Sequence, residues 1–134
     1  MITGLDHVTI IVKDQNAAIE QFKTIFGTDK VRRTEPNPGR AYRAVHFDFG
    51  SNNNIEIITP TDQHGPWARR LAANGDGVYL YALRVDNLRK TVDELRAKGV
   101  RLVDDPGPGT GPITNLVCIH PKSAGGAMIL LQEK

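Results

Sequence analysis

Two titratable side chains stand where chemistry could be done: His7 in Leu5-Asp6-His7-Val8-Thr9-Ile10-Ile11-Val12, and Glu56 in Asn54-Ile55-Glu56-Ile57-Ile58. Both stretches are rich in β-branched residues and read as strands. Strand alternation puts His7, Thr9 and Ile11 on one face of the first, and Asn54, Glu56 and Ile58 on one face of the second. A carboxylate among apolar neighbours needs a partner or water, since burying it alone costs on the order of several kcal/mol. As a pair, Glu56 could act as general base or hydrogen-bond acceptor, with His7 orienting it or protonating a substrate. The pair could equally satisfy itself in an apolar pocket that binds a ligand without turning it over. Both readings stand at this level.

The other candidates are weaker. His46, His64 and His120 complete the histidine set; His120 opens His-Pro-Lys at a strand end, and alternation does not fix the face His46 takes. Lys122 and Ser123 lie in a Gly-flanked loop that could aim an ammonium and backbone amides at an anion, or be a solvated hairpin turn. Arg84 shares a strand face with Leu80 and Ala82 and could pair with an anionic ligand at the rim of a cleft. Phe47, Phe49 and Trp67 could line a cleft or an oligomer interface. Tyr79 and Tyr81 point away from the Leu80 face and read as core. Cys118 has no helix N-terminus or cation beside it to make a thiolate, and a single cysteine forms no intrachain disulfide. The glycines of residues 107 to 111 lack the Gly-Lys-Ser and following helix of a phosphate loop.

The elements that must position these groups occur twice. Val12 slides onto Val85, Ile19 onto Val92 and Phe22 onto Leu95, a shift of 73 positions through a strand and a helix. In the first copy Asp14 caps a helix over residues 15 to 26, with Ala18, Ile19, Phe22, Ile25 and Phe26 at helical spacing and Gly27 as the stop. Residues 34 to 39 are turn-rich and predict a mobile loop over one mouth of the fold. Tyr42 to Phe49, Gly50-Ser51-Asn52-Asn53 and the Glu56 strand form a hairpin. Residues 61 to 77 join the copies through a short helix over Trp67 to Asn74. The second copy runs from the Val78 to Val85 strand into a helix over 88 to 98, capped by Asp86 or Asn87, then strands over 100 to 103, 114 to 120 and 127 to 132. The expectation is an α+β fold of two βαβββ modules, 1–60 and 78–134 with a 61–77 linker, forming curved mixed sheets around a central cleft.

Composition narrows the function. Hydrophobic residues at 40%, charged residues at 24% and a net charge of +2 describe a globular chain with no basic footprint for nucleic acid. No apolar run is long enough to span a membrane, and the N-terminus carries no signal-like segment, so a cytoplasmic location is expected.

The pattern resembles the vicinal oxygen chelate superfamily, which includes glyoxalase I, bleomycin-resistance proteins, extradiol dioxygenases and methylmalonyl-CoA epimerase. The residues carrying the resemblance are Leu5-Asp6-His7-Val8, Asn54-Ile55-Glu56-Ile57-Ile58-Thr59-Pro60, and Cys118-Ile119-His120-Pro121-Lys122-Ser123-Ala124-Gly125-Gly126-Ala127-Met128-Ile129-Leu130-Leu131. The last stretch is most similar to the epimerase-like branch. The resemblance implies a divalent metal held by one residue from the first and last strand of each module. Those positions fall on His7, Glu56, Leu80 and Leu130, and leucine offers no donor, so weak or absent metal and no other cofactor are expected. It further implies a small organic ligand, such as an acyl-CoA or other carbonyl compound, held in a homodimer. The ligand surface would comprise Thr9, Phe47, Ile58, Leu80, Ala82, Arg84, Lys122, Ser123, Met128 and Leu130. Epimerase- or isomerase-type proton transfer with Glu56 and His7 is the first functional expectation, with lyase chemistry beside it. Non-catalytic sequestration of a small molecule is the second, and a metal-dependent dioxygenase is the third.

Overall fold

The computed structural model describes residues 1–35, 39–50 and 52–134. Pro36, Asn37 and Pro38 of the turn-rich loop and Ser51 of the hairpin turn lie outside the described residues. Eight strands and three helices follow in the order β1 (Ile2–Ile11), α1 (Gln15–Phe26), β2 (Arg32–Arg33), β3 (Tyr42–Phe49), β4 (Asn53–Pro60), α2 (Pro66–Asn74), β5 (Gly77–Val85), α3 (Leu88–Ala97), β6 (Leu102–Val103), β7 (Val117–Ile119) and β8 (Met128–Glu133). The α+β class and the doubled β-α-β-β-β order are therefore present. No helix among the described residues is long and apolar enough to cross a membrane.

Two compact units divide the chain, one of Val8–Tyr79 and one of Met1–His7 with Leu80–Lys134. In Val8–Tyr79 the strand order is β2-β3-β4-β1. Helix α1 starts where the Asp14 carboxylate accepts from Ala17 N, and ends at Gly27, whose φ of 63° is the left-handed conformation glycine adopts without strain. Its inward stripe meets the sheet in a core of Val12, Ala18, Ile19, Val45, Phe47 and Ile57, flanked by Phe22 and Phe26. Phe47 stacks edge-on to Phe26 with ring centroids 5.4 Å apart. Full burial of such a side chain contributes about 3 kcal/mol. Gln15 pins α1 to the hairpin by donating to the carbonyls of Arg43 and Ile57.

In the other unit the order is β1-β5-β8-β7-β6, with β5 and β8 parallel. Asn87 caps α3 by accepting from Lys90 N, while Asp86 pairs instead with the N-terminal ammonium. Val85, Leu88, Val92, Val117, Ile119 and Leu131 form its core. β7 is shorter than the sequence pattern implies, with three residues: the preceding loop is held to α3 by the Arg89 guanidinium on the Gly107 and Gly111 carbonyls, and the Asn115 amide donates to the Asp104 carbonyl.

Candidate functional site

In the Val8–Tyr79 unit the site grows from the β3–β4 hairpin. Its register pairs His46 with Glu56, Asp48 with Asn54 and Ala44 with Ile58, so these residues share one sheet face. Val45, Phe47, Ile55 and Ile57 take the other face and meet α1. Thr9 of β1 donates its hydroxyl to Glu56 Oε1 at 2.8 Å. His46 Nδ1 lies 3.0 Å from Asn54 Oδ1, and its Nε2 faces Glu56 Oε2 at 3.8 Å. Side-chain exposure is 10% for His46 and 16% for Glu56, so the carboxylate is largely withdrawn from water beside a hydroxyl and an imidazole. Arg32, the β2 neighbour of His46, holds Asp48 with two hydrogen bonds at the outer edge of the same row. That guanidinium lowers the Asp48 pKa.

Of the expected ligand-lining residues in this unit, Thr9, Ile58 and Glu56 come together with His46. Phe47 does not join them. At 1% exposure it belongs to the helix-facing core, because it is one residue out of phase with His46 on an alternating strand. His46, whose face alternation left open, stands in this row opposite Glu56. The pairing of Phe49 with Asn53 sets the register that places His46 opposite Glu56, one residue off what a turn centred on 50–53 would give.

In the other unit, His7 Nδ1 is bonded to Asp6 Oδ2 at 2.7 Å. Asp6 Oδ1 accepts from Arg84 Nε and Lys134 Nζ. Burial alone would raise the Asp6 carboxyl, but the hydrogen bonds from His7, Lys134 and Arg84 outweigh it and lower the pKa to about 2. A carboxylate held ionised accepts only, so Nδ1 of His7 carries hydrogen. Leu80 registers with Met128, Ala82 with Leu130 and Arg84 with Gln132, which puts the expected apolar lining and Arg84 on one face of the β5–β8 pair. Leu83, Val85, Ile129 and Leu131 turn to α3. Lys122 and Ser123 lie exposed in a 3-10 turn, where the Ser123 hydroxyl accepts from Arg101 N and Lys122 N donates to His120 Nδ1. Tyr81 is 41% exposed, so it is not core. Back in the Val8–Tyr79 unit, Tyr79 stands with Trp67 at 5.0 Å between ring centroids, under the Arg70 guanidinium.

The metal ligand set that the resemblance implies does not fit these residues. Leu80 and Leu130 are buried hydrocarbons, and among the described residues no three His, Cys, Asp or Glu side chains converge as a metal group. Resident divalent ions at catalytic sites are ordinarily held by three protein donors. Cys118 is equally unsuited to nucleophilic work, because burial and the Asp104 charge push its thiol up to about 11.

Comparison with known proteins agrees with this architecture. Residues 6–115 match the Glyoxalase/Bleomycin resistance protein/Dioxygenase superfamily. The chain is 30% identical to the mitochondrial methylmalonyl-CoA epimerase of Dictyostelium discoideum, over 99% of this chain and 80% of that protein. It is similar to the crystal structure of methylmalonyl-CoA epimerase from Mycobacterium tuberculosis, with a TM-score of 0.80 and 35% identity over 98% of this chain and 88% of that one. It is likewise similar to a Streptomyces coelicolor methylmalonyl-CoA epimerase variant in complex with 2-nitronate-propionyl-CoA, with a TM-score of 0.82 and 26% identity over 100% of this chain and 99% of that one. These similarities carry the vicinal oxygen chelate fold, and with the match over most of its length the chain belongs to the glyoxalase/bleomycin resistance protein/dioxygenase superfamily.

Proposed function

We propose that this protein binds an acyl-CoA or similar carbonyl compound and moves a proton at the carbon next to the carbonyl, an epimerase- or isomerase-type reaction with Glu56 as base. The observation that carries the reading is the Glu56 carboxylate itself: largely buried, and aimed by the Thr9 hydroxyl on one oxygen. Abstracting a weakly acidic C–H needs a carboxylate that is fixed in place and poorly hydrated, which that setting supplies. Similarity to epimerases supports the substrate class, and 2-nitronate-propionyl-CoA is a thioester bearing a planar anion of enolate-like shape. Within Val8–Tyr79, Thr9 and Ile58 are proposed to meet the ligand beside Glu56; within the other unit, Leu80, Ala82, Met128 and Leu130 are proposed as an apolar ligand surface, and Arg84, Lys122 and Ser123 as groups for anionic parts of a ligand. Within that other unit, His7, oriented through Nδ1 by Asp6, is proposed as a polar group that meets the ligand.

The apolar face of Leu80, Ala82, Met128 and Leu130 favours a second reading, non-catalytic binding of a small molecule. Deuterium exchange separates the two. Methylmalonyl-CoA incubated with the protein in heavy water exchanges its α-proton under the first reading, and Glu56→Gln abolishes exchange while calorimetry still records binding. Binding without exchange by the unaltered protein leaves the second reading in possession.

A further inference from the structure

We infer that the rings of Tyr42, Trp67 and Tyr79, with the guanidiniums of Arg40 and Arg70, hold the nucleotide end of an acyl-CoA. The inference rests on the acyl-CoA part of the proposed function and extends it from the reacting carbon to the far end of the ligand. All five residues belong to Val8–Tyr79. The register that sets Glu56 opposite His46 also sets Ile58 opposite Ala44 and Pro60 opposite Tyr42, so the hairpin face carrying Glu56 ends at Tyr42. Trp67 of α2 meets the Tyr42 ring edge to face, with centroids 5.2 Å apart, and the Tyr79 ring at 5.0 Å. Arg70 follows Trp67 by three residues and so shares its helix face; its guanidinium carbon lies 5.1 Å from the Tyr79 centroid. Arg40 Nη1 lies 3.5 Å from the Tyr42 hydroxyl. The three rings are half-buried, whereas both arginines are exposed.

Packing of α2 explains the rings but not the arginines. Among the described residues no carboxylate pairs with Arg40 or Arg70. A purine stacks on aromatic rings or against a guanidinium plane, and a phosphate accepts two parallel N–H bonds from an arginine fork. The nucleotide of coenzyme A carries a purine, a diphosphate and a 3′-phosphate, which is the chemistry this cluster complements. The span also matches. Four residues of β4 separate Glu56 from Pro60, the partner of Tyr42, a distance of about 13 Å along the strand. The pantetheine arm has about 13 bonds between sulfur and the diphosphate, and reaches about 15 Å when extended. A thioester held at Glu56 therefore delivers its nucleotide to the Tyr42 end of the same face.

Trp67 is the one tryptophan of the chain, so its fluorescence reads the site directly. The full-length protein is titrated with free CoA, with adenosine 3′,5′-bisphosphate and with inorganic phosphate. In parallel, α-proton exchange in heavy water is followed on methylmalonyl-CoA and on methylmalonyl-pantetheine, which lacks the nucleotide. CoA and the bisphosphate are expected to change the emission saturably, and inorganic phosphate at the same concentration to leave it unchanged. Arg70→Ala should weaken CoA binding and lower kcat/KM for methylmalonyl-CoA, each about tenfold, while exchange of the pantetheine ester stays within about twofold. Arg40→Ala should act in the same direction. Lys98→Ala, which removes an exposed cation of the other unit, should alter neither ester. Equal losses on both esters would make Arg70 a structural residue and overturn the inference. So would saturation by inorganic phosphate alone, the mark of a plain anion site, or a Trp67 signal indifferent to CoA. A CoA-dependent Trp67 signal without α-proton exchange removes Glu56 as base and leaves the nucleotide site standing. The titrations use the unaltered protein, so they decide even where a variant fails to fold.

Discussion

Asp6 and His7 are neighbours in sequence, yet their side chains are bonded to each other, Oδ2 to Nδ1, at 2.7 Å. Successive residues of a strand normally point to opposite faces, so alternation gives no reason to expect this bond. It draws the Asp6 carboxylate, 5% exposed, into contact with Arg84 and Lys134 as well. The folded pKa is therefore depressed, to about 2. A depressed carboxyl contributes stability above its unfolded pKa and loses it as pH falls through the folded one, so the window runs from about pH 4 down to pH 2. Asp6→Asn should remove on the order of 2 kcal/mol of stability at neutral pH and flatten the urea-midpoint profile between pH 4 and 2. An unchanged acid limb in the variant would show that another carboxylate governs it.

Thr9 is 2% exposed and its hydroxyl serves Glu56. Thr9→Val keeps the shape and deletes the donor. The expected loss is roughly 2 kcal/mol, the range for a hydrogen bond to a charged group. Combined with Glu56→Gln in a double-mutant cycle, the two losses should fall short of additivity by about 1 kcal/mol. Additive losses in urea titrations would mean that the contact contributes nothing.

Phe47→Leu separates packing from binding. It thins the aromatic cluster with Phe22 and Phe26, and about 1 to 2 kcal/mol of stability should go with it. Affinity for the acyl-CoA should stay within a factor of two, because Phe47 faces α1. A tenfold loss of affinity with unchanged stability would return Phe47 to the ligand surface.

Leu80→His with Leu130→Glu places donors at the two positions where the resemblance would put them. Affinity for Co²⁺ or Ni²⁺, read by calorimetry, should rise at least tenfold over the unaltered protein. Equal affinities would show that these side chains do not point to a common ion position.

Cys118 should react slowly. With the thiol raised to about 11, alkylation at pH 8 should lag that of the urea-unfolded chain by a factor of ten or more. Equal rates in the two states would contradict the burial assigned to it.

The fold was more legible than the site, for a physical reason. Helical spacing at Ala18, Ile19 and Phe22, with Asp14 and Gly27 as punctuation, dictates α1 to the residue. Alternation likewise groups Leu80, Ala82 and Arg84 on one face. What alternation cannot supply is phase between strands. Phe47 and His46 are equally plausible inward residues until the turn at 50–53 fixes the register, and then a single step exchanges one for the other. The Asp6–His7 bond was hidden for a similar reason, since strand parity sets adjacent side chains apart. The β7 strand was overestimated because the stretch before Val117 is held by the Asn115 side-chain amide on the Asp104 carbonyl, a bond that strand propensity does not reveal.

The compact unit formed by Met1–His7 together with Leu80–Lys134 takes its material from both sides of the contiguous Val8–Tyr79 segment. During synthesis its first seven residues leave the ribosome long before their strand neighbours exist, whereas Val8–Tyr79 is contiguous and can organise as soon as it emerges. Assembly should accordingly proceed in two kinetic stages, the contiguous segment first and the split one only after a loop of more than seventy residues has closed, the kind of long-range closure that slows a chain's search for its native state.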